Sequence, residues 1–320
     1  MKKIHILTNE LSEKPTMDEL DVLVQAEAVR EALLSLGYDT STGTMGSDLK
    51  RARNSILKAE ADIVFNLVES IDNIAELIHL APSLLRSMGI PFTGSGPEAM
   101  ILTSNKIFAK KIMKWNSIPT PGWFTVNESW RGESSHTYIA KPLYEDASVG
   151  IDDSSLFSGN NPVKLIEYGL KYGASFFAEE FIPGREFNIS VLAGDSGPVV
   201  LPPAEIIFRD YPESKPAIVG YKAKWDESSF EYNNTLRSFD FPEEDNDLIE
   251  ELRRISSMCW TVFDLRGYAR IDFRVDKPGN PYVLEVNANP CLSPDSGFFA
   301  AVEKAGWNFT DAIQRILNDC

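Results

Sequence analysis

The sequence predicts an α/β fold followed by α+β units, with a small parallel sheet near the amino terminus. Short apolar strands alternate with amphipathic helices over about the first ninety residues, which is typical of a parallel sheet with helices on both faces. Strands and helices then follow in mixed order from about residue 93. A chain of 320 residues is also longer than one ordinary hydrophobic core requires, so two or three domains are expected.

The amino-terminal unit begins with the strand IHILT and continues with the helix DVLVQAEAVREALLSLG. Apolar residues at helical spacing and the closing glycine, Gly37, indicate an amphipathic helix that ends there. DIVFNLV is a second buried strand, and APSLLRSMGIPF joins a helix to a further strand. This alternation predicts the parallel sheet.

The rest of the chain predicts compact α+β units. A helix over residues 106–115 leads through the proline-rich SIPTPGWF to TYIAKPLYEDASVGI, a strand that runs into a loop. A helix over 161–172 and the strand SFFAEEF follow. The last part is predicted to contain mixed strands, a helix over 243–263 and a hairpin over 268–287.

Composition excludes several functional classes. A net charge of -16 argues against a broad nucleic-acid or anionic-membrane surface, because both need clustered Lys and Arg. No apolar stretch approaches the roughly 20 residues of a membrane-spanning helix. The apolar segment of the amino-terminal MKKIHILTNELSEK is too short for a signal peptide. Three widely spaced cysteines fit reduced thiols. We expect a cytoplasmic protein without nucleic-acid or membrane partners, whose anionic ligands bind in a local basic pocket.

The hairpin carries the most informative polar pattern. Glu285 and Asn287 alternate with apolar residues in YVLEVN, so they share one face of a strand. The segment DKPGNP before this strand favours a tight reversal. We assume that Asp276 faces Pro281 across a four-residue loop.

That register places Asp272 opposite Glu285 and Arg270 opposite Asn287. Two opposed carboxylates destabilise a ladder by roughly 0.2–1 kcal/mol, and by more when they are buried. A divalent cation between the two carboxylates would turn this destabilisation into a stabilisation. Oxygen ligands of this kind suit Mg²⁺ beside bound phosphates. We interpret Asp272, Glu285 and Asn287 as metal ligands. A solvated hairpin face is the alternative on these residues alone.

Three lysines on separate elements are candidates for binding the phosphates. Lys106 follows Ser104, a candidate helix N-cap, and Lys224 lies in YKAKW. Lys141 ends an apolar strand before EDASVG, whose small residues let backbone N–H groups approach phosphate oxygens. The alternative for each lysine is a solvated surface charge. Neither a GxxxxGK[ST] loop nor a GxGxxG turn accompanies them.

Five segments together carry a family resemblance. They are GIPFTGSGPEAM with Lys106, AKPLYEDASVGI, FFAEEFIPGREFNISVL, YKAKW and GYARIDFRVDKPGNPYVLEVNANPCLSPDSG. In this order they resemble the ATP-grasp superfamily and, within it, the D-alanine:D-alanine ligases, from about residue 62 onward. The resemblance implies a Rossmann-like domain over 1–92, a central ATP-grasp subdomain over 93–182 and a C-terminal catalytic subdomain over 183–320. It further implies ATP held between the last two, and a homodimer.

The resemblance implies that Lys106 and Lys141 contact the ATP phosphates and that Lys224 reaches the γ-phosphate. A flap from Glu145 to Gly150, which includes Ser148 as a candidate catalytic residue, would cover the phosphates.

The nucleoside contacts that the resemblance implies lie in AEEFIPGREF. Glu179 would accept the adenine amino group, and the backbone of Glu180, Phe181 and Ile182 would flank the base. Glu186 would bind the ribose hydroxyls.

The remaining implied roles concern the metal and the chemistry. The hairpin ligands would bind two Mg²⁺ ions, for which Mn²⁺ can substitute. Arg270 and the backbone N–H of Cys291 would stabilise the oxyanion of a tetrahedral intermediate, and Ser296 would bind the carboxylate of the second substrate. A cysteine nucleophile and a packed small side chain are the alternatives for the Cys291 thiol, and no histidine lies nearby in sequence.

The sequence departs from the family pattern where the first substrate is recognised. Ala147 and Trp225 replace a flap serine and a tyrosine of the family, and Glu69 lies near the place of a family histidine. Glu13 or Glu19 would stand in for an amino-terminal glutamate. These changes predict a pocket, with Glu69 and Trp225 as substrate contacts, for a larger or cationic amino compound.

We predict an ATP- and Mg²⁺-dependent carboxylate–amine ligase that acts on amino-acid-like substrates through an acyl phosphate and releases ADP and phosphate. The alternatives are a tailoring or ester-forming ligase that uses a different amino or hydroxy acid, and a non-catalytic ATP-binding relative. Retention of Arg270 and of both metal carboxylates favours an enzyme. The choice between amide and ester stays open.

Overall fold

The structure, a computed structural model, describes residues 2–125, 135–144, 150–159, 161, 163–173 and 175–320. The first sheet is parallel, as predicted. Its strand order is β2 (Asp39–Met45), β1 (Lys3–Asn9) and β3 (Ile63–Leu67), and its helices are α1 (Met17–Ser35), α2 (Leu49–Ala59) and α3 (Leu80–Met88).

Two consecutive helices follow, α4 (Pro97–Ser104) and α5 (Lys106–Trp115). The expected N-cap, Ser104, is wrong by one residue. Asn105 caps α5, because its side-chain oxygen accepts hydrogen bonds from the Ile107 and Phe108 N–H groups. Lys106 is therefore the first residue of α5.

A four-stranded antiparallel sheet comes next, with one helix beside it. Its strand order is β4 (Trp123–Thr125), β7 (Phe176–Glu180), β5 (Thr137–Pro142) and β6 (Leu156–Ser158), and the helix is α6 (Val163–Tyr172).

The largest sheet has six strands. Its main path runs β11 (Thr235–Ser238), β10 (Ala204–Phe208), β8 (Gly184–Gly194), β12 (Tyr268–Asp276) and β13 (Pro281–Asn287), while β9 (Gly197–Val200) also pairs with β8. The helices of this part are α7 (Tyr221–Trp225), α8 (Phe230–Asn234), α9 (Asn246–Val262), α10 (Gly297–Lys304) and α11 (Phe309–Asn318).

The hairpin of β12 and β13 has the predicted pairs, but not the predicted turn. Val275, rather than Asp276, faces Pro281. The register then shifts by one residue between Asp272 and Phe273, because Leu284 is an extra residue on β13. The β-bulge restores the pairs Asp272 with Glu285 and Arg270 with Asn287.

The two faces of the six-stranded sheet serve different cores. One face packs against α9 and also against α4 and α5, through residues such as Phe273, Leu252 and Met113. The other packs against the first sheet and against α10 and α11, through residues such as Leu192 and Tyr268. The predicted domain limits at 92 and 182 stay a prediction.

No helix in the part of the chain that the structure describes is both long and apolar enough to cross a bilayer.

Candidate active site

Alternate residues of β8 and β12 present polar side chains on one face of the large sheet. Asp272 pairs with Asn188 and Arg274 pairs with Glu186 across the two strands, and directly opposite residues point to the same side. Asn188 Nδ2 donates a 2.8 Å hydrogen bond to Asp272 Oδ1. Arg274 Nε lies 3.6 Å from Glu186 Oε2. Strand periodicity therefore gathers the charged groups in one place.

Asp272 and Glu285 are held beside each other by cations. Arg270 contacts both Asp272 oxygens, from Nε and from its terminal nitrogen, at 2.8 Å each. The same guanidinium lies 4.0 Å from Glu285 Oε1, and Lys106 Nζ lies 3.4 Å from Glu285 Oε2. The opposed carboxylates are thus neutralised by Arg270 and Lys106, which joins the site from the start of α5.

Burial and charge act in opposite directions on the two carboxylates. Burial raises the pKa of Asp272, with the charge of Arg270 opposing it and that of Glu285 adding to it. Burial would also raise the pKa of Glu285, but Lys106, Arg270 and Lys224 outweigh it and hold the pKa below its ordinary value. Glu285 is therefore ionised at neutral pH.

The predicted metal ligands fit Mg²⁺ as a set of two carboxylates and one amide. Asn287 Oδ1 accepts a 3.0 Å hydrogen bond from the Asn289 N–H, and a carbonyl oxygen has a second lone pair with which it can bind a metal. Among the described residues, no three or more His, Cys, Asp and Glu side chains cluster as a metal site. Mg²⁺ commonly takes only one or two protein carboxylates and completes its octahedron with water and phosphate oxygens.

Glu179 is engaged by two lysines. Its carboxylate oxygens lie 2.5 Å from Lys141 Nζ and 2.5 Å from Lys110 Nζ, and Lys110 Nζ also donates to Thr120 Oγ1 at 2.8 Å. Burial alone would raise the pKa of Glu179, yet the two lysines lower it. Sequence reasoning missed Lys110, although it lies four residues after Lys106 on the same face of α5.

The predicted nucleoside segment lies between the second sheet and the third. The N–H groups of Glu180 and Phe181 donate to the carbonyls of Gly122 and Thr137 at 2.8 and 2.9 Å, and Ile182 is buried. These bonds fix the backbone that is predicted to flank the base.

Arg274 supports this segment, and it is a second residue that the sequence analysis missed. Its guanidinium lies 5.1 Å from the centre of the Phe181 ring and donates to the Gly184 carbonyl at 3.2 Å. Gly184 has a φ of +153°, and a Cβ there would lie 2.0 Å from the Val275 oxygen. Glu186, the predicted ribose ligand, lies beside Arg274, and burial raises its pKa against the charge of Arg274.

The structure describes the third predicted phosphate lysine but not the predicted flap residues. Glu145 and Ser148 lie outside the described residues. Lys224 lies on α7, and its charge acts to lower the pKa values of Glu285, Asp272 and Glu186, so it lies near the same carboxylates.

A polar network joins the amino-terminal domain to the loop after β13. Cys291 Sγ–H donates to Asp21 Oδ2 at 3.0 Å, and Ser293 Oγ–H donates to Asp21 Oδ1 at 2.6 Å. Gln25 Nε2 donates to Glu69 Oε1 at 2.9 Å and to Asp21 Oδ2 at 3.2 Å. Burial and Asp21 raise the pKa of Cys291, and a thiol of raised pKa is a weak nucleophile.

One of the two glutamates that were expected to stand in for the family's amino-terminal glutamate, Glu19, has a structural role. Glu19 accepts hydrogen bonds from Ser12 and Thr16 and forms the capping box of α1. Asp21, two residues further, is the α1 carboxylate that reaches Cys291. Trp225 lies at the end of α7, 6.5 Å from the Tyr221 ring, and Tyr221 Oη donates to Asp18 Oδ1 at 3.2 Å.

Ser296 is the N-cap of α10. Its hydroxyl oxygen accepts from the Phe299 N–H at 3.2 Å, so the hydroxyl proton can be donated to a ligand.

Cations outnumber carboxylates in the part of the site around β8, β12 and β13, although the chain carries -16. Among the described residues there, the carboxylates are Glu179, Glu186, Asp272 and Glu285, and the cations are Lys106, Lys110, Lys141, Lys224, Arg270 and Arg274. This local excess matches a bound polyphosphate.

Comparisons with known proteins agree with this geometry. The family model for the D-ala D-ala ligase C-terminus matches residues 112–318. A D-alanine--D-alanine ligase of Carboxydothermus hydrogenoformans is 33% identical over 303 residues, which cover 91% of this chain and 90% of that protein. An uncharacterized protein, y4sG, of Sinorhizobium fredii is 30% identical over 309 residues, which cover 92% of this chain and 86% of that one.

The fold also resembles solved structures. A crystal structure of D-alanine--D-alanine ligase from Bacillus anthracis complexed with ATP superposes with a TM-score of 0.77 at 19% identity, covering 100% of this chain and 97% of that one. The predicted fold class is confirmed. Because the family model covers more than half of the chain and a relative above 30% identity spans nearly all of it, the chain belongs to the D-alanine–D-alanine ligase family of the ATP-grasp superfamily.

Proposed function

We propose that the chain is an ATP- and Mg²⁺-dependent ligase that joins a carboxylate to an amine and forms an amide through an acyl phosphate. The observation that carries the proposal is the opposed pair Asp272 and Glu285, held between Arg270 and Lys106 on the strands β12 and β13. A buried and a half-buried carboxylate kept in register among cations offer the oxygen ligands and the positive surroundings that a metal with bound phosphates needs.

The three predicted phosphate lysines all act on Glu285, although their contacts differ. Lys106 Nζ lies next to the Glu285 carboxylate, Lys141 bonds to Glu179 near the nucleoside segment, and the charges of all three lower the pKa of Glu285. When bound, Mg²⁺ would offset the repulsion between the phosphates and the attacking carboxylate. Lys106, Lys141 and Lys224 would hold the phosphates in place and balance the rest of their charge.

Arg270 would act on the acyl carbon. Its two hydrogen bonds to Asp272 fix the guanidinium plane, which orients its other N–H groups before substrate binds. A preorganised donor of this kind stabilises the oxyanion that forms when the amine attacks the acyl phosphate. The Cys291 backbone N–H is the proposed second donor, and the thiol stays bonded to Asp21.

The first-substrate pocket supports an amino compound other than D-alanine. Asp21, Glu69 and Gln25 form a polar and partly anionic wall. Trp225 lies against Tyr221 of α7, whose hydroxyl donates to Asp18 of α1. Carboxylates favour a cationic or amine-bearing substrate, so we propose a larger or cationic amino compound here. We further propose that the protein works in the cytoplasm, where ATP is available, and as a homodimer.

The test is ADP release by the purified protein with ATP, Mg²⁺ and pooled L- and D-amino acids, β-amino acids and diamines, followed by mass analysis of the products. We expect ADP release that depends on added amine and acid, and a product mass equal to the two substrates minus water. Glu285→Gln should abolish it. If D-alanine were the only compound that supports ADP release, the proposed pocket would be refuted. An absence of substrate-dependent ADP release and of any ligated product would refute the ligase.

A further inference from the structure

Arg237 lies on the site face of the large sheet, although it belongs to the edge strand β11. In the ladder, Arg237 is opposite Ile206 on β10, Ile206 is opposite Glu186 on β8, and Glu186 is opposite Arg274 on β12. Directly opposite residues project to the same side of a sheet. Arg237 therefore shares its face with the proposed nucleotide and metal ligands.

The Arg237 guanidinium lies against the first residue of α10. A Cβ on Gly297 would be 3.2 Å from one terminal nitrogen of Arg237, and 3.6 Å from both Cζ and Nε. All three distances are short, so the guanidinium lies flat over this glycine. Gly297 directly follows Ser296, the residue that the resemblance assigns to the carboxylate of the second substrate.

Both a like charge and an opposite charge lie near Arg237. Partial desolvation lowers the pKa of Arg237 and the like charge of Arg270 lowers it further, while Asp295 opposes both. The amino end of α10 adds partial positive charge. Within the described ranges, Arg237 makes no ion pair or hydrogen bond, and its side chain is exposed. Arg237 thus lies near a second guanidinium, the Asp295 carboxylate and a helix amino end, and its side chain is open to solvent.

We propose that Arg237 determines specificity for the amine substrate by binding its carboxylate, together with the Ser296 hydroxyl. The proposal rests on the proposed ligase function, because it assigns a ligand to the second-substrate position. A guanidinium presents two parallel N–H groups that match a carboxylate, and the Ser296 proton is available. The amine substrate would therefore be an amino acid, and simple amines or amino-acid amides would be poor substrates.

The test compares binding of acids and amides without turnover. Wild type, Arg237→Met and Arg237→Lys are titrated calorimetrically in the presence of ADP and Mg²⁺ with glycine, D-alanine, L-alanine and β-alanine and with their carboxamides. We expect wild type to bind at least one acid more tightly than its amide. Arg237→Met should weaken that acid roughly 10- to 100-fold and leave the amide within about twofold of wild type, with Arg237→Lys intermediate. Arg53→Met, which removes an exposed guanidinium on α2, is the matched control and should bind as wild type does.

Two further comparisons keep the outcome decisive. Gly297→Ala should displace the guanidinium by tenths of an ångström and weaken only the acid, which checks the site if Arg237→Met folds poorly. Equal acid binding by wild type and Arg237→Met, or equal binding of acids and amides by wild type, would overturn the proposal. ADP release measured in parallel distinguishes failure of the Arg237 proposal from failure of the ligase proposal. Turnover of amines that lack a carboxylate would support the ligase but exclude this role for Arg237. Acid-selective binding without turnover would exclude the ligase but support the carboxylate site.

Discussion

Replacement of Lys110 by methionine tests whether the ion pair below the proposed nucleotide site stabilises the fold. The Lys110 side chain is completely buried, and its ammonium lies 2.5 Å from Glu179. Removal of one partner from a buried pair leaves the other charge uncompensated and costs roughly 3–5 kcal/mol. Because Lys141 still contacts Glu179 at 2.5 Å, we expect the lower end of that range, about 3 kcal/mol.

The assay is calorimetric melting at pH 7. At roughly 2 °C per kcal/mol for a large domain, Lys110→Met should lower Tm by about 6 °C. Lys111→Met is the matched control, since Lys111 is the next residue of α5 and is exposed, and it should change stability by less than about 0.5 kcal/mol. Adding Glu179→Gln to Lys110→Met should recover part of the loss, since the stranded charge is removed. A Tm for Lys110→Met equal to that of Lys111→Met would refute the reasoning.

Four further outcomes follow from the site and the core. Arg270→Met should lower kcat of ADP release about 100- to 1,000-fold while calorimetry finds ADP binding intact; unchanged kcat would remove the oxyanion role. The pKa of Glu179 in the folded protein lies below its ordinary value of 4.5, so ionised Glu179 stabilises the fold above pH 4.5. This contribution is lost as the pH falls through the folded pKa, and the Tm difference between wild type and Glu179→Gln should therefore vanish in acid. Iodoacetamide followed by mass spectrometry at pH 7.5 should modify exposed Cys320 first and leave Cys259 intact, because burial raises the pKa of Cys259 to about 12; early modification of Cys259 would contradict the packed core. Gly184→Ala should lower stability by about 3 kcal/mol in urea titration, since its Cβ would collide with the Val275 oxygen, and a fully stable variant would contradict the backbone placement.

The hairpin of β12 and β13 shows how much of a strand pairing can be predicted from the alternation of apolar and polar residues. The alternation of YVLEVN was enough to predict which side chains share a face, and the pair Asp272 with Glu285 is confirmed. The assumed turn was wrong by one residue, and the bulge at Leu284 cancelled that error. A β-bulge leaves no signature in apolar alternation, so the correct pairs rested partly on compensation.

Other features were missed for identifiable reasons. Strand β2, DTSTGTM, is polar and largely accessible, so it lacks the apolar run by which buried strands are found. Lys110 and Arg274 had a usable signal, since they lie at helical and strand spacing from Lys106 and Asp272. Arg237 had none, because TLRS is too short to show alternation and its partner, Gly297, is distant in sequence. The roles assigned to single residues through the family resemblance stay predictions.

The core shared by the first sheet and the last two helices has a consequence for biosynthesis. Ile4, Ile6 and Leu33 pack in the same cluster as Ile313 and Ile316. At roughly 5–20 residues per second, about 15–60 s of translation separate these segments. During that interval the apolar residues of the first sheet that pack against α11 in the folded protein stay exposed to solvent. We therefore expect the nascent chain to bind chaperones that cover exposed apolar surface.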